Sequence, residues 1–267
     1  MKLSIITINY NDLTGLKNTV DSVMNQTWRG YEHIIIDGGS TDGSETYIEQ
    51  NAQHFSYWVS ERDKGIYNAM NKGIAKANGE YLLMLNAGDL LHNNEVLSKV
   101  FDKTNYDQDI IYGDVDRESK GIVFTESIFP DKLTFSFLRN GMISHQAAFF
   151  KRKLHDIVGL YDETIKYGAD WHFIIRSVCK YNATYLHLNF KMAICSADGL
   201  TSSSKEFESM AAERIGVFKN EFPAFIDDYL LYDKLEKKKI SNRLSSFFSQ
   251  FVLIIKSFVK RKIRSRK

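Results

Sequence analysis

The chain has 267 residues, 43% hydrophobic and 25% charged, a make-up that fits one globular domain with room for an appendage. Its two cysteines, Cys179 and Cys195, form no CxxC pair, which argues against a disulfide framework and a structural zinc site. The net charge of +2 conceals an acidic body: residues 231–267 hold 12 Lys/Arg against 2 Asp/Glu, and residues 1–230 hold 23 against 31.

The opening "KLSIITIN" reads as a strand over Leu3–Asn9. It lacks the basic head, long apolar core and small-residue cleavage site of a secretory signal, and no apolar run reaches the roughly 20 residues that span a bilayer. A reducing cytoplasm is the expected location. A helical stretch follows from Asp12 to about Gln26, then a strand Tyr31–Asp37 ending in the loop "GGSTDGS". A helix over about Ser44–Gln53 and a short strand Tyr57–Ser60 come next. In "KGIYNAMNKGIAKANG", Ile66, Ala69, Met70, Ile74 and Ala77 fall near helical spacing, and Gly79 marks a helix end. The strand Tyr81–Leu85 then breaks into "NAGD".

Strands separated by helices of this length predict a parallel sheet covered on both faces, with ligands held beyond the carboxyl ends of its strands. Asn9, Asp37, Ser60–Asp63 and Asn86–Asp89 all lie at those ends. Asp89 can be a turn or cap residue, or a carboxylate that holds a cation at the mouth of the sheet. Further on, Asp109–Val115 and Gly121–Glu126 read as strands, "HQAAFFKR" (His145–Arg152) as a strand entering a helix, and Asp170–Tyr181 as a helix starting at or near Asp170. "ATYLHL" and "FKMAICS" are further strands. With no Gly-, Ser- or Pro-rich linker, residues 1–230 are expected to form one domain.

In order along residues 3–204, "SIITINYN", "IIIDGGSTDGS", "SERDKGIYNAMNKGIAKANGEYLLMLNAGD", "SHQAAFFKR", "YDETIKYGADWHFIIR" and "ADGLTSSS" resemble family 2 glycosyltransferases of the bacterial surface-polysaccharide type. The resemblance implies the α/β glycosyltransferase-A fold, a Rossmann-like, mostly parallel sheet flanked by helices. It also implies an enzyme that moves a hexosyl or N-acetylhexosaminyl group from a nucleotide-sugar to a glycan acceptor with inversion.

By that resemblance Thr7, Asn9 and Tyr10 line the base and ribose pocket. Asp37 accepts the imide N–H of uracil, which favours UDP over GDP; its other reading, like that of Asp42, is a turn-forming side chain. Many members carry two acidic residues in succession here, whereas this chain has Gly38 second. Asp63 and Lys64 lie near the ribose and diphosphate, where a lysine offers phosphate a point charge. Asn71 and Lys72 are either ligand contacts or the polar face of a helix.

"NAGD" takes the place of an Asp-x-Asp motif, with Asn86 and Gly88 where acidic residues are usual. That leaves Asp89 to ligate Mn²⁺ or Mg²⁺ together with the donor's phosphates. Asp170 is the implied base for the acceptor hydroxyl, or a helix cap. His145 and Gln146 resemble an "HQ" pair near the acceptor or diphosphate. Trp171 is a sugar-stacking surface or core, and "DGLTSSS" (Asp198–Ser204) a lid or a plain surface loop.

In the tail, Leu244, Phe247, Phe248, Phe251, Val252, Ile255, Phe258, Val259 and Ile263 form one helical stripe, backed by Lys256, Lys260 and Arg261. This pattern predicts an amphipathic helix on an anionic membrane surface, residues 244–267, or a helix packed on protein. The acidic body carries no nucleic-acid recognition motif. The expected picture is a peripheral enzyme on the inner face of the cell membrane, acting on a lipid-diphosphate-linked sugar acceptor. Two other readings fit the sequence: a sugar nucleotidyltransferase, disfavoured because "NYNDLTGLKN" is not a Gly-rich basic phosphate loop, and a non-catalytic membrane scaffold with a degenerate transferase domain.

Overall fold

The computed structural model describes residues 2–119, 121–196, 204–235 and 238–239. The tail stripe 244–263, and the loop from Asp198 up to Ser204, lie outside the described residues. The chain divides between Arg214 and Ile215 into two compact units.

The first unit is built on β1 (Leu3–Asn9), β2 (Tyr31–Asp37), β3 (Tyr57–Ser60) and β4 (Tyr81–Met84). All are parallel, in the order β3-β2-β1-β4. Every residue of β1 and β4 is buried, because helices cover both faces of the sheet. On one face, Leu16 and Val20 of α1 (Leu13–Met24) and Ile48 of α2 (Ser44–Gln50) pack with Ile35 and Phe55. Burying side chains of this kind contributes about 1.5–3 kcal/mol each. On the other face lies α3 (Ile66–Lys76), whose Gly73 fits against the side chains of Ile6 and Ile36. This helix ends at Lys76, since Ala77 is already extended.

The second half widens the sheet with mixed pairing. Beyond β5 (Leu90–Leu91) and α4 (Val96–Phe101), β6 (Ile110–Ser119) forms a hairpin with β7 (Ile122–Ser127). After the short α5 (Phe135–Leu138), β8 (Ala148–Lys151) lies antiparallel between β4 and β6 and leads into α6 (Arg152–Val158). Next come α7 (Ala169–Cys179) and β9 (Tyr185–Ser196), one long irregular strand where the sequence suggested two. β9 runs parallel to β6 and antiparallel to β5.

Next along the chain comes α8 (Ser204–Glu221). Within the second unit, Phe218 stacks on Tyr229 at 4.5 Å between ring centroids. Among the described residues, no helix is long and apolar enough to cross a membrane.

Candidate active site

The strand register builds the rim. Asn9, Asp37 and Ser60 are paired across β1, β2 and β3, so their side chains meet at the carboxyl ends. The "NAGD" loop lies against the same end of β1, through Leu85 N–H to Ile6 O and Ala87 N–H to Ile8 O, both 3.0 Å.

Asp37 is fully buried. Its Oδ1 accepts Asn9 Nδ2 (2.7 Å) and Ser40 Oγ (2.6 Å). Its Oδ2 accepts Ser60 Oγ (2.7 Å) and the N–H groups of Ser40 (2.9 Å) and Gly39 (3.2 Å). Burial pushes the carboxyl upward, but the bonds from Ser40, Ser60 and Asn9 outweigh it and hold the pKa below its ordinary value. Asp37 thus ties together the turn that follows β2. Asp42 is a turn residue too: it accepts Ser44 Oγ at 2.7 Å and Leu13 N at 2.7 Å.

Thr7 departs from the expected pocket lining. It is fully buried in β1, with its Oγ1 3.0 Å from His33 Nε2. Asn9 is buried against Asp37 and Ser40. Tyr10 is 70% exposed and free to act as a platform.

Across Gly38 from Tyr10 stands Asp63, its side chain 10% exposed. Lys72 Nζ pairs with Asp63 Oδ1 at 2.6 Å and with Glu61 Oε1 at 2.7 Å. Lys64 is exposed, its backbone N–H donating to Asn68 Oδ1 at 3.2 Å. Asn71 proves structural: it donates to Tyr161 O and Glu163 Oε1, and accepts Tyr161 N–H.

At the "NAGD" turn, Gly88 has φ +91°, a left-handed conformation that glycine adopts without strain. Its N–H donates to Thr19 Oγ1, while that hydroxyl donates to the carbonyl of Asp89 at 2.8 Å. Asp89 is 5% exposed; its Oδ1 accepts Ser196 N–H and its Oδ2 accepts Gln146 Nε2, both at 3.1 Å. Burial raises its pKa to about 6, against the opposing influence of His145 and these bonds. Among the described residues, no group of three or more His, Cys, Asp or Glu forms a ready-made metal cage. Asp89 therefore fits a cation that arrives with other ligands.

His145 sits in a short 3₁₀ turn just before β8. Its Nδ1 is 3.0 Å from Asp170 Oδ2, and its Nε2 is 3.4 Å from Asn86 Nδ2. Burial favours the neutral ring, but the bond to Asp170 and the charges of Asp170 and Asp89 raise its pKa.

Asp170 does not cap α7, whose N-cap is Gly168; it stands in the first turn with its carboxylate aimed at the site. Its Oδ1 accepts Tyr67 OH (3.1 Å) and Trp171 N–H (2.9 Å). Burial pushes the carboxyl up, but the bond and charge of His145, followed by the bonds from Trp171 and Tyr67, hold it below its ordinary range. Trp171 is core: it is buried, with Nε1 donating to Leu138 O.

The structure thus joins Asp170, His145, Asn86, Gln146 and Asp89 in one neighbourhood and sets Tyr10 and Asp63 beside Gly38, with Lys72 paired to Asp63. Sequence reasoning missed Tyr67, Ser196 and Ser40. Tyr67 carried a faint signal as a polar-tipped aromatic in an otherwise regular helix.

Comparisons with known proteins agree with this architecture. The description "Glycosyl transferase family 2" matches residues 4–159. An uncharacterised glycosyltransferase of Mycobacterium tuberculosis is 36% identical over 183 residues, which is 67% of this chain and 70% of that protein. Staphylococcus aureus TarS 1–349, solved with UDP-GlcNAc, superposes with a TM-score of 0.62 at 16% identity, covering 86% of this chain and 72% of that one. The chain spans only 42% of the longer TarS structure. A mannosyltransferase of Pyrobaculum calidifontis, solved with GDP-Man and Mn²⁺, gives a TM-score of 0.59 at 16% identity, covering 86% and 69% of the two chains. At such identities the solved structures establish a shared glycosyltransferase-A fold. With a family match over more than half its length and a relative of this similarity, the chain belongs to glycosyl transferase family 2 and is a glycosyltransferase.

Proposed function

We propose that this enzyme transfers a sugar, with inversion, from a UDP-sugar to a lipid-linked glycan acceptor in surface polysaccharide biosynthesis. The observation that carries the reading is the contact path from Asp170 through His145 to Asn86, which begins the loop that carries Asp89. It sets a proton-accepting pair beside a carboxylate suited to the donor's diphosphate. In the reaction the acceptor oxygen attacks the anomeric carbon while the bond from that carbon to the diphosphate breaks. The acceptor's proton passes to the Asp170–His145 pair, and the electron pair of the broken bond leaves with UDP.

Tyr10 provides the stacking surface for the base, and Lys64 a cation for the phosphates. Asp89, a buried carboxylate short of positive charge, would hold Mn²⁺ or Mg²⁺ jointly with the diphosphate. The metal would neutralise charge developing on the leaving group. Asn86 and the tight turn at Gly88 shape the loop that presents Asp89.

The lipid-linked acceptor and the membrane location rest on the apolar and basic stripes of residues 244–267. Flotation of the full chain with anionic phosphatidylglycerol vesicles, and its absence with neutral vesicles, tests them.

The experiment for the donor site is calorimetric titration of UDP with and without Mn²⁺, repeated on Asp89→Ala. Metal-dependent UDP binding that the variant loses supports the reading. Failure of UDP to bind under any condition overturns it.

A further inference from the structure

We propose that Asp63, rather than Asp37, is the carboxylate that reads the base, and that it selects uracil by accepting the single N3–H on Oδ2. The inference rests on the nucleotide-sugar reading above and adds which residue sets the choice of nucleotide.

Asp37 has no capacity left. A carboxylate offers about four lone-pair directions, and five protein donors already converge on this one. Those donors fix the turn after β2, and any base that took Asp37 as acceptor would have to dismantle it. Leaving those buried donors without an acceptor would cost about 1–3 kcal/mol each.

Asp63 is placed differently. Its Oδ1 is held by Lys72, and no donor among the described residues reaches Oδ2. A Cβ built on Gly38 would lie 3.1 Å from Asp63 Oδ2 and 3.1 Å from Tyr10 Cδ2. The carboxylate and the aromatic ring thus close over the bare glycine backbone, where any side chain at 38 would push them apart. Gly38 is what lets Asp63 reach the rim next to Asp37. Tyr10, largely exposed, offers its ring to a base at the same place.

One open oxygen dictates which base fits. Uracil presents one N–H on its pairing edge, flanked by two carbonyls. Guanine presents donors at N1 and N2 and needs two acceptors, of which Lys72 has already taken one. Cytosine presents the lone pair of N3 where uracil presents its N–H, so it meets Oδ2 less favourably and can donate only from the displaced N4 amino group.

The test is calorimetric titration of UDP, CDP and GDP, with Mn²⁺, into the full chain and into Asp63→Asn. The wild type should bind UDP most tightly. In the variant, Lys72 draws the amide oxygen toward itself and turns the NH₂ toward the base. UDP should then weaken about 10- to 100-fold, the scale of one hydrogen bond to a charged group, while CDP gains relative to UDP. Gly38→Ala, which leaves every charge in place, should also weaken UDP by displacing Asp63 and Tyr10. Unchanged UDP affinity in Asp63→Asn, an unchanged ratio of UDP to CDP, or tighter GDP than UDP in the wild type would each overturn the proposal while leaving the transferase reading intact. If no nucleoside diphosphate binds the wild type, the donor reading itself fails and takes this one with it.

Discussion

Asp170 Oδ2 lies 3.0 Å from Nδ1 of His145, joining the first turn of α7 to the turn before β8. The bond fixes the imidazole and keeps a buried carboxylate ionised, since burial alone would protonate it. Asp170→Asn keeps the shape and removes the charge. Turnover should fall about 10²- to 10⁴-fold, the range for losing a positioned proton acceptor, with UDP affinity unchanged. Release of UDP from a UDP-sugar, measured beside calorimetry of UDP itself, checks both halves.

Tyr67 OH donates to the other oxygen of the same carboxylate, 3.1 Å away. Burial and the neighbouring Asp170 push the phenol's pKa far up, so it stays a donor at every working pH. Tyr67→Phe retains the ring and deletes that bond. We expect turnover to drop about tenfold, as for losing about 1.4 kcal/mol of transition-state stabilisation, with little change in melting temperature. An unchanged rate would show that the bond is only structural.

Asp89 stores a cost that a cation can relieve. Its folded pKa of about 6 lies above its unfolded value near 3.8, so the folded state binds more protons between those values. Stability is therefore fully supported below about pH 4 by this group and declines as pH rises toward 6. Above pH 6, without metal, Asp89→Asn should melt higher than the wild type, by up to about 3 kcal/mol. Thermal melts at pH 7, with and without Mn²⁺, decide this; Mn²⁺ with UDP should stabilise only the wild type.

His33 and His155 work in the opposite direction. Both are buried, and burial lowers each pKa to about 3, so the folded state keeps them neutral. His33 contacts Thr7, while His155 stacks on Phe173 at 4.3 Å. Between about pH 6.5 and 3 the unfolded chain takes up protons that the folded one refuses. Stability present above pH 6.5 is lost as pH falls, by about 1.4 kcal/mol per unit for each ring. His155→Phe should flatten the acid side of a plot of melting temperature against pH. A slope equal to that of the wild type would refute this origin.

The sequence by itself determined the strand and helix order of the first half, because hydrophobic runs and helical spacing there follow local rules. It also determined which polar clusters share the rim. Parallel strands end on one side, so Asn9, Asp37, Ser60 and the "NAGD" turn had to meet there. The family resemblance on those residues pointed to Asp89 and Asp170.

Only the tertiary structure decided what each polar side chain spends its bonds on. Asp37 and Asp63 are both carboxylates at strand ends, and nothing local shows that one is saturated by five donors while the other keeps an open oxygen. Trp171 adjoins Asp170 in sequence, whereas Tyr67 stands 103 positions from it in α3; packing buries the first as core and turns the hydroxyl of the second onto the carboxylate. A hydrogen bond satisfies its atoms across long stretches of chain, and its partner is set by the fold, whereas periodicity records only which face of an element is apolar.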